Sequence, residues 1–308
     1  MTSNINDFAM IRPVAITPAI LTSSSVAEPA TGADPDPAEW SNATPYNNAD
    51  RASRSSIHKI YQRVGGAGGL TSIAPESDPL NWVLVGGTNR WKMFDGSVGS
   101  QTSNNDSIVI VLTPGVLADQ LAILNVYADT ARVQVAGTGY DQTINLRTRY
   151  TNSWFEYFFE PFVYRSDAVF TGLPLFTNNV ITVTLSKTGG VARCGEMVLG
   201  LARALGGAQY GASAGIIDYS VKQTDQFGNT TVVGRPFSKR MNVDLLIESA
   251  RVDEIQRLLS DYRADPVVWV GSGNLYAALI VYGFFRRFEI VINYPTHAKC
   301  TLEIEGLT

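Results

Sequence analysis

From Trp82 onward the chain is a succession of short apolar runs broken by turn residues, too short for most helices and of the length of strands. IVIVL (108–112), LAILNV (121–126), ARVQVAG (131–137), FEYFFEPF (155–162), VITVTLS (180–186) and EMVLG (196–200) are rich in β-branched and aromatic residues. Such side chains suit a pleated, half-buried surface, and the Gly, Pro, Asn and Asp between the runs mark turns. Alternation in ARVQVAG and VITVTLS implies strands with one buried and one solvated face. The expected fold is therefore mainly β, with a sandwich or jelly roll over residues 81–204.

A second unit is expected over 205–308, after the Gly-rich join LGGAQYGASAG (205–215). IIDYSVKQ, a turn at Phe227-Gly228-Asn229, TTVVG and KRMNVDLLIES read as strands. One helix is expected over 251–263, because Val252, Ile255, Leu258, Leu259 and Tyr262 share a face at helical spacing. Ser249 is the expected N-cap, and Asp253 and Glu254 suit the positive end of the helix dipole. Pro266 prevents continuation. VVWVG, ALIVYGFF, RFEIVINY and KCTLEIEGL then read as four strands.

Residues 1–39 differ from the rest. They hold five of the chain's prolines (Pro13, Pro18, Pro29, Pro35, Pro37) and few large apolar side chains. Through residue 50 there are six acids and a single base, Arg12. This composition buries too little surface to offset chain entropy. It reads either as an extended arm ordered on neighbouring subunits or as a disordered tail. As an arm it could be removed (residues 1–38) to leave a folded chain that assembles poorly.

Between arm and sandwich, residues 40–80 contain Trp40, Tyr46, Asp50, Arg51 and Tyr61. These resemble the small carbohydrate-binding-like modules of phage proteins and chitinases, with Ala49 where those modules carry Gly. The resemblance implies a stacking platform for a glycan on Trp40, Tyr46 and Tyr61, since a pyranose face packs on an aromatic ring. The same three side chains suit the core of a very small module, which has few other residues to bury. GGAGGL (65–70) reads as a flexible boundary.

Other chemistry is thinly supported. GASAG (211–215) satisfies G-x-S-x-G, but a nucleophilic Ser213 needs a strand-to-helix elbow, and strand-like IIDYSVKQ follows. A hinge accounts for it better, although His297 lies downstream in hydrolase order. His58 and His297 are the only histidines, and no spacing suggests a zinc site. Glu303/Glu305 share one strand face and Asp253/Glu254 one helix start, so neither pair frames a cleft for glycoside hydrolysis. Asp34 and Asp36 lack an EF-hand pattern. Cys194 and Cys300 read as small buried hydrophobes. Trp269 reads as core, and Trp91, Trp154, Phe155, Phe158 and Phe159 as core or subunit interface. No cofactor is expected.

A formal charge of −4 argues against a nucleic-acid partner. No apolar stretch approaches the length of a membrane span, and MTSNINDFAMIRP lacks a signal peptide's h-region. Synthesis in the cytoplasm is expected.

The order of features over 82–200 resembles a discoidin or galactose-binding jelly roll, with NRWKMFDGSVGSQT as its early loop. The strand, helix, VVWVG and hairpin order of 216–308 resembles the tail-tube fold of distal tail and baseplate hub proteins. NRWKMFDG, FEYFFEP, RCGEMVLG, YGASAGIIDYS, VWVG and CTLEIEGL together resemble a family of bacteriophage tail and virion structural proteins. The resemblance implies a non-enzymatic component of a virion tail, at the distal tail, baseplate or tip. Its partners would be its own copies in a ring and other tail proteins. A peripheral module for host-surface glycan is the alternative.

Overall fold

The computed structural model describes residues 7–65, 68–148, 153–224, 226–271 and 275–308. The first six residues of the expected arm, and Gly66 and Ala67 of the expected boundary, lie outside them. The chain is mainly β, with large antiparallel sheets and one packed helix.

In chain order, β1 (Asp7–Pro13) and β2 (Leu21–Ser24) come first. A small unit follows, of β3 (Pro45–Tyr46), β4 (Arg51–Arg54), β5 (Lys59–Arg63), β6 (Gly69–Leu70) and β7 (Trp82–Gly87). The middle of the chain supplies β8 (Thr102–Leu112), β9 (Gln120–Leu124), β10 (Thr130–Val135), β11 (Tyr140–Asn145) and β12 (Arg147–Thr148). Then come α1 (Trp154–Phe159), β13 (Val163–Tyr164), β14 (Ala168–Thr171), β15 (Ile181–Cys194) and β16 (Glu196–Ala208). The remainder is β17 (Ser213–Asp218), β18 (Val221–Thr224), β19 (Thr230–Val233), β20 (Phe237–Glu248), α2 (Val252–Asp261), β21 (Val267–Val270), β22 (Ile280–Val291) and β23 (His297–Gly306).

One nine-stranded sheet organises the molecule, in the order β14-β9-β16-β1-β21-β22-β23-β20-β17. Gly207 and Ala208 of β16 also pair with Leu246 and Leu245 of β20. That extra pairing closes β16-β1-β21-β22-β23-β20 into a barrel, which removes the edges of those strands. A Cβ on Gly206 would stand 2.5 Å from the Leu246 carbonyl oxygen, so the closure needs glycine there. The Gly-rich join is thus partly barrel wall: the expected boundary at 204/205 falls inside β16, and Ser213–Gly215 lie in β17.

At its other end the same sheet is one layer of a sandwich. β14, β9 and the start of β16 face the five-stranded sheet β11-β10-β15-β8-β2. Ile181, Val183 and Leu185 alternate inward with Ile108, Ile110 and Leu112 opposite them, as the period-two pattern requires. Trp269 fills the barrel, stacked on Phe8 and donating from Nε1 to the Gly283 carbonyl (3.0 Å). Ile255 and Leu259 of α2 bury fully in the same core, flanked by Val252, Leu258 and Tyr262. The helix face is as expected. Its start is not: α2 is entered through a 3-10 turn at Ser249–Arg251, and the Ser249 hydroxyl donates to the Tyr294 carbonyl instead of capping.

The N-terminal segment departs most from expectation. Over 7–13 it is no arm but an internal barrel strand, paired with β16 on one side and β21 on the other. Phe8, Met10 and Ile11 are fully buried. A Cβ at Gly200 would collide with the Arg12 carbonyl oxygen at 1.8 Å, so glycine lets β1 lie this close. Residues 25–36 then strap the sandwich to the small unit through their carboxylates. Glu28 accepts from Thr88 Oγ1 (2.6 Å) and Trp91 Nε1 (3.0 Å), with His58 Nδ1 at 3.0 Å. Asp36 accepts from the Asn89 backbone (2.8 Å), and Asp34 pairs with Lys92. Three of the six acids, Glu28, Asp34 and Asp36, thus form a clasp on residues 88–92.

Three further differences concern local structure. Trp154–Phe159 is a helix where FEYFFEPF (155–162) is expected to be a strand, because Ser153 caps Glu156 N (3.3 Å) and side chains pair at i, i+4. ALIVYGFF and RFEIVINY form one strand, β22, bent by a register shift between Phe285 and Arg287, so three strands follow α2. The small unit extends past residue 80 to include β7, which pairs with β5.

Candidate functional site

The three aromatics expected to form a glycan platform are not presented to solvent together. Tyr46 and Tyr61 are each 7% exposed and form the core of the small unit with Ala52 and Trp82. Tyr46 meets Trp82 edge to face at 5.1 Å, and its hydroxyl accepts from Ser41 N (2.9 Å). Trp40 is half-buried and donates to Thr71 Oγ1 (3.3 Å). The Arg54 guanidinium lies 5.3 Å from its ring centre and is itself tied to Glu76 (2.6 Å). Two rings are core, and the third has the Arg54 guanidinium over it.

The catalytic candidates do not converge either. Ser213 pairs with Asn242 and His297 with Glu248 on the same strand, six positions or about 20 Å apart. Glu303 pairs with Arg240 (2.6 Å), and Glu305 with Arg286 (3.7 Å) and the Tyr219 hydroxyl (3.1 Å). Glu254 pairs with Arg251 at the start of α2, beside Asp253. His58 stacks on Trp91 at 4.3 Å and belongs to the clasp. Cys194 and Cys300 are buried free thiols, and burial pushes both thiol pKa values up, Cys300 to about 11. Among the described residues, no group of three or more His, Cys, Asp and Glu is arranged to hold a metal. Among the described residues, no helix is long and apolar enough to cross a membrane.

What the structure does present is apolar surface on two projections. The two-residue ladder of β12 and β13 carries α1 at its tip. Trp154, Phe155, Phe158 and Phe159 are between 66% and 79% exposed there. The second projection starts at β17, an edge of the nine-stranded sheet, with Ile216 outward. It continues into the hairpin β18–β19, whose turn carries Phe227 at 89% exposure and whose second strand exposes Val232 and Val233. Gly228 adopts φ 82°, the left-handed conformation that a tight turn needs. Each projection is anchored by a ladder of main-chain bonds, and the apolar side chains named on it are exposed. The sequence reading names Trp154, Phe155, Phe158 and Phe159 and the turn at 227–229, but not that they stand outside. The Ser153-x-x-Glu156 capping box was the signal that could have separated α1 from the strands.

Inside, two buried acids stand out. Asp167, 2% exposed, accepts from Asn125 N (3.2 Å) and pairs with Lys239, tying β14 to β20. Glu196 lies at the seam of sandwich and barrel and accepts from Gly96 N (3.0 Å). Burial and the neighbouring Asp95 carboxylate push its pKa up to about 8.

Compared with known proteins, the chain matches no protein-family model, and no curated protein is significantly similar to it.

Proposed function

We propose that the chain is a non-catalytic structural subunit of a bacteriophage tail, at the distal tail, baseplate or tip. In this reading it joins its own copies in a ring and carries neighbouring tail proteins or fibres. The observation that carries the structural half of the reading is the pair of apolar projections. Large apolar side chains exposed in clusters are a common mark of sites that other chains cover. The closed, plugged barrel supports the same role, since it offers a rigid body from which the projections extend. The bacteriophage half rests on the sequence resemblance of the quoted segments.

The test is immunogold electron microscopy of tailed particles from the source lysate, with antibody raised against the purified chain. Label confined to one end of the tail is expected. Particles that carry no label, with the chain recovered only in the soluble fraction, would overturn the proposal.

A further inference from the structure

Where barrel and sandwich meet, a cavity of about 250 Å³ opens between the exit of β1, the turn after Phe94, the start of β16 and β22. Three polar groups face it. Glu196 is only 5% exposed, and one of its oxygens accepts from Gly96 N. Asp95 accepts from Ser97 N (2.8 Å) and Ser100 Oγ (2.6 Å). Tyr282 is 7% exposed, and its hydroxyl makes no hydrogen bond among the described residues. A Cβ on Gly96 would stand 3.9 Å from that hydroxyl, so Tyr282 reaches the turn that binds Glu196. Neither carboxylate has a basic partner among the described residues. A largely buried acid, an exposed acid and the hydroxyl of a largely buried tyrosine thus share one small space with no basic side chain on its walls.

The remaining walls, among them Ile16 and Phe94, are apolar. A hard metal ion would want more oxygen ligands than this site offers. A guanidinium is planar, weakly hydrated and able to stack on an aromatic face while donating to carboxylates. We propose that this cavity binds a guanidinium group, with Glu196 and Asp95 as its anionic partners and the Tyr282 hydroxyl as a further acceptor. The group could belong to a free small molecule or to an arginine of a second copy. The proposal does not depend on the assembly reading.

With no cation present, burial and Asp95 hold Glu196 at about 8, and burial with the two acids lifts Tyr282 to about 12. A bound guanidinium favours ionised Glu196, so occupancy releases a proton. Cys194 also feels Glu196, but its thiol is protonated throughout this range.

The experiment is titration of the full chain with methylguanidinium, followed by NMR chemical shifts between pH 6 and 9. Saturable binding is expected, weakening about tenfold per pH unit below the Glu196 pKa. Glu196→Gln should weaken it at least tenfold at pH 9 and remove the pH dependence. Asp95→Asn, a change at an exposed position, should weaken it less and serves as the variant least able to disturb folding. Absence of saturable binding at pH 9 overturns the proposal, as does equal binding by the wild type and both variants. Where binding occurs, a fall in oligomer mass on adding methylguanidinium assigns the site to an arginine of a second copy. An unchanged mass assigns it to a free cation.

Discussion

Two aromatic clusters of this chain have opposite fates. Tyr46, Tyr61 and Trp82 lie on or beside strands whose faces meet, and they bury one another. Trp154, Phe155, Phe158 and Phe159 lie on a short helix between two paired residues on each side, and they remain outside. Composition does not separate the clusters, since the exposed one is the more apolar. The difference lies in what surrounds the segment. A strand in a sheet brings a facing layer with it, whereas a helix at the tip of a two-residue ladder has none. Burial of an aromatic therefore depends on the sheet it joins, and the cluster on α1 stays exposed.

The largest expected effect concerns the N-terminal segment, which is expected from its composition to lie exposed but is buried like the small core. Deleting residues 1–38 removes an internal barrel strand with Phe8, Met10 and Ile11. The truncated chain is expected to lose cooperative thermal unfolding, measured by circular dichroism. A folded truncation would return residues 7–13 to the exposed class. Next comes Trp82→Ala, which removes the partner of Tyr46 and of the Arg63 guanidinium, 5.7 Å away. A loss of about 3–5 kcal/mol is expected. Hydrogen exchange should show it as lost protection in 51–63 ahead of the barrel.

A pH series sharpens the buried side of the comparison. Between the ordinary carboxylate value of 4.5 and about 8, the folded chain keeps on Glu196 a proton that the unfolded chain has released. Stability conferred by this group therefore falls as pH rises through that window and levels off above it. Glu196→Gln should flatten the slope and gain roughly 2–4 kcal/mol over the wild type at pH 8 compared with pH 4.5, read from urea midpoints. Parallel curves for the two proteins would contradict the burial of that carboxyl. The smallest stability effect is expected outside: Phe155→Ser with Phe159→Ser should stay within about 0.5 kcal/mol of wild type, as surface changes do. A loss as large as that of Trp82→Ala would mean that α1 is packed after all.

Most of the strands were legible because alternation is local: Ile181, Val183 and Leu185 announce a buried face without knowledge of what covers it. The face of α2 was legible for the same reason. Pairing at long range was not. Nothing in DFAMIRP reveals that β1 inserts between β16 and β21, because its partners lie about 190 and 260 residues away along the chain. The clasp was visible only as an excess of acids, since Glu28 finds His58, Thr88 and Trp91 through the fold alone. The two halves of β22 were read apart because a bulge at Phe285–Arg287 interrupts the alternation that would have joined them. Of the site, Trp40, Tyr46 and Tyr61 were recognised as a group, and the structure assigns two of them to a core.

If the exposed projections are contact surfaces, the mass of the protein in solution depends on them. Light scattering would compare the full chain with a variant carrying Phe155→Ser, Phe159→Ser and Phe227→Ser. The account predicts a multiple of 33.4 kDa for the wild type and 33.4 kDa for the variant. A wild-type monomer at all concentrations, or an oligomer unmoved by the three substitutions, would contradict it.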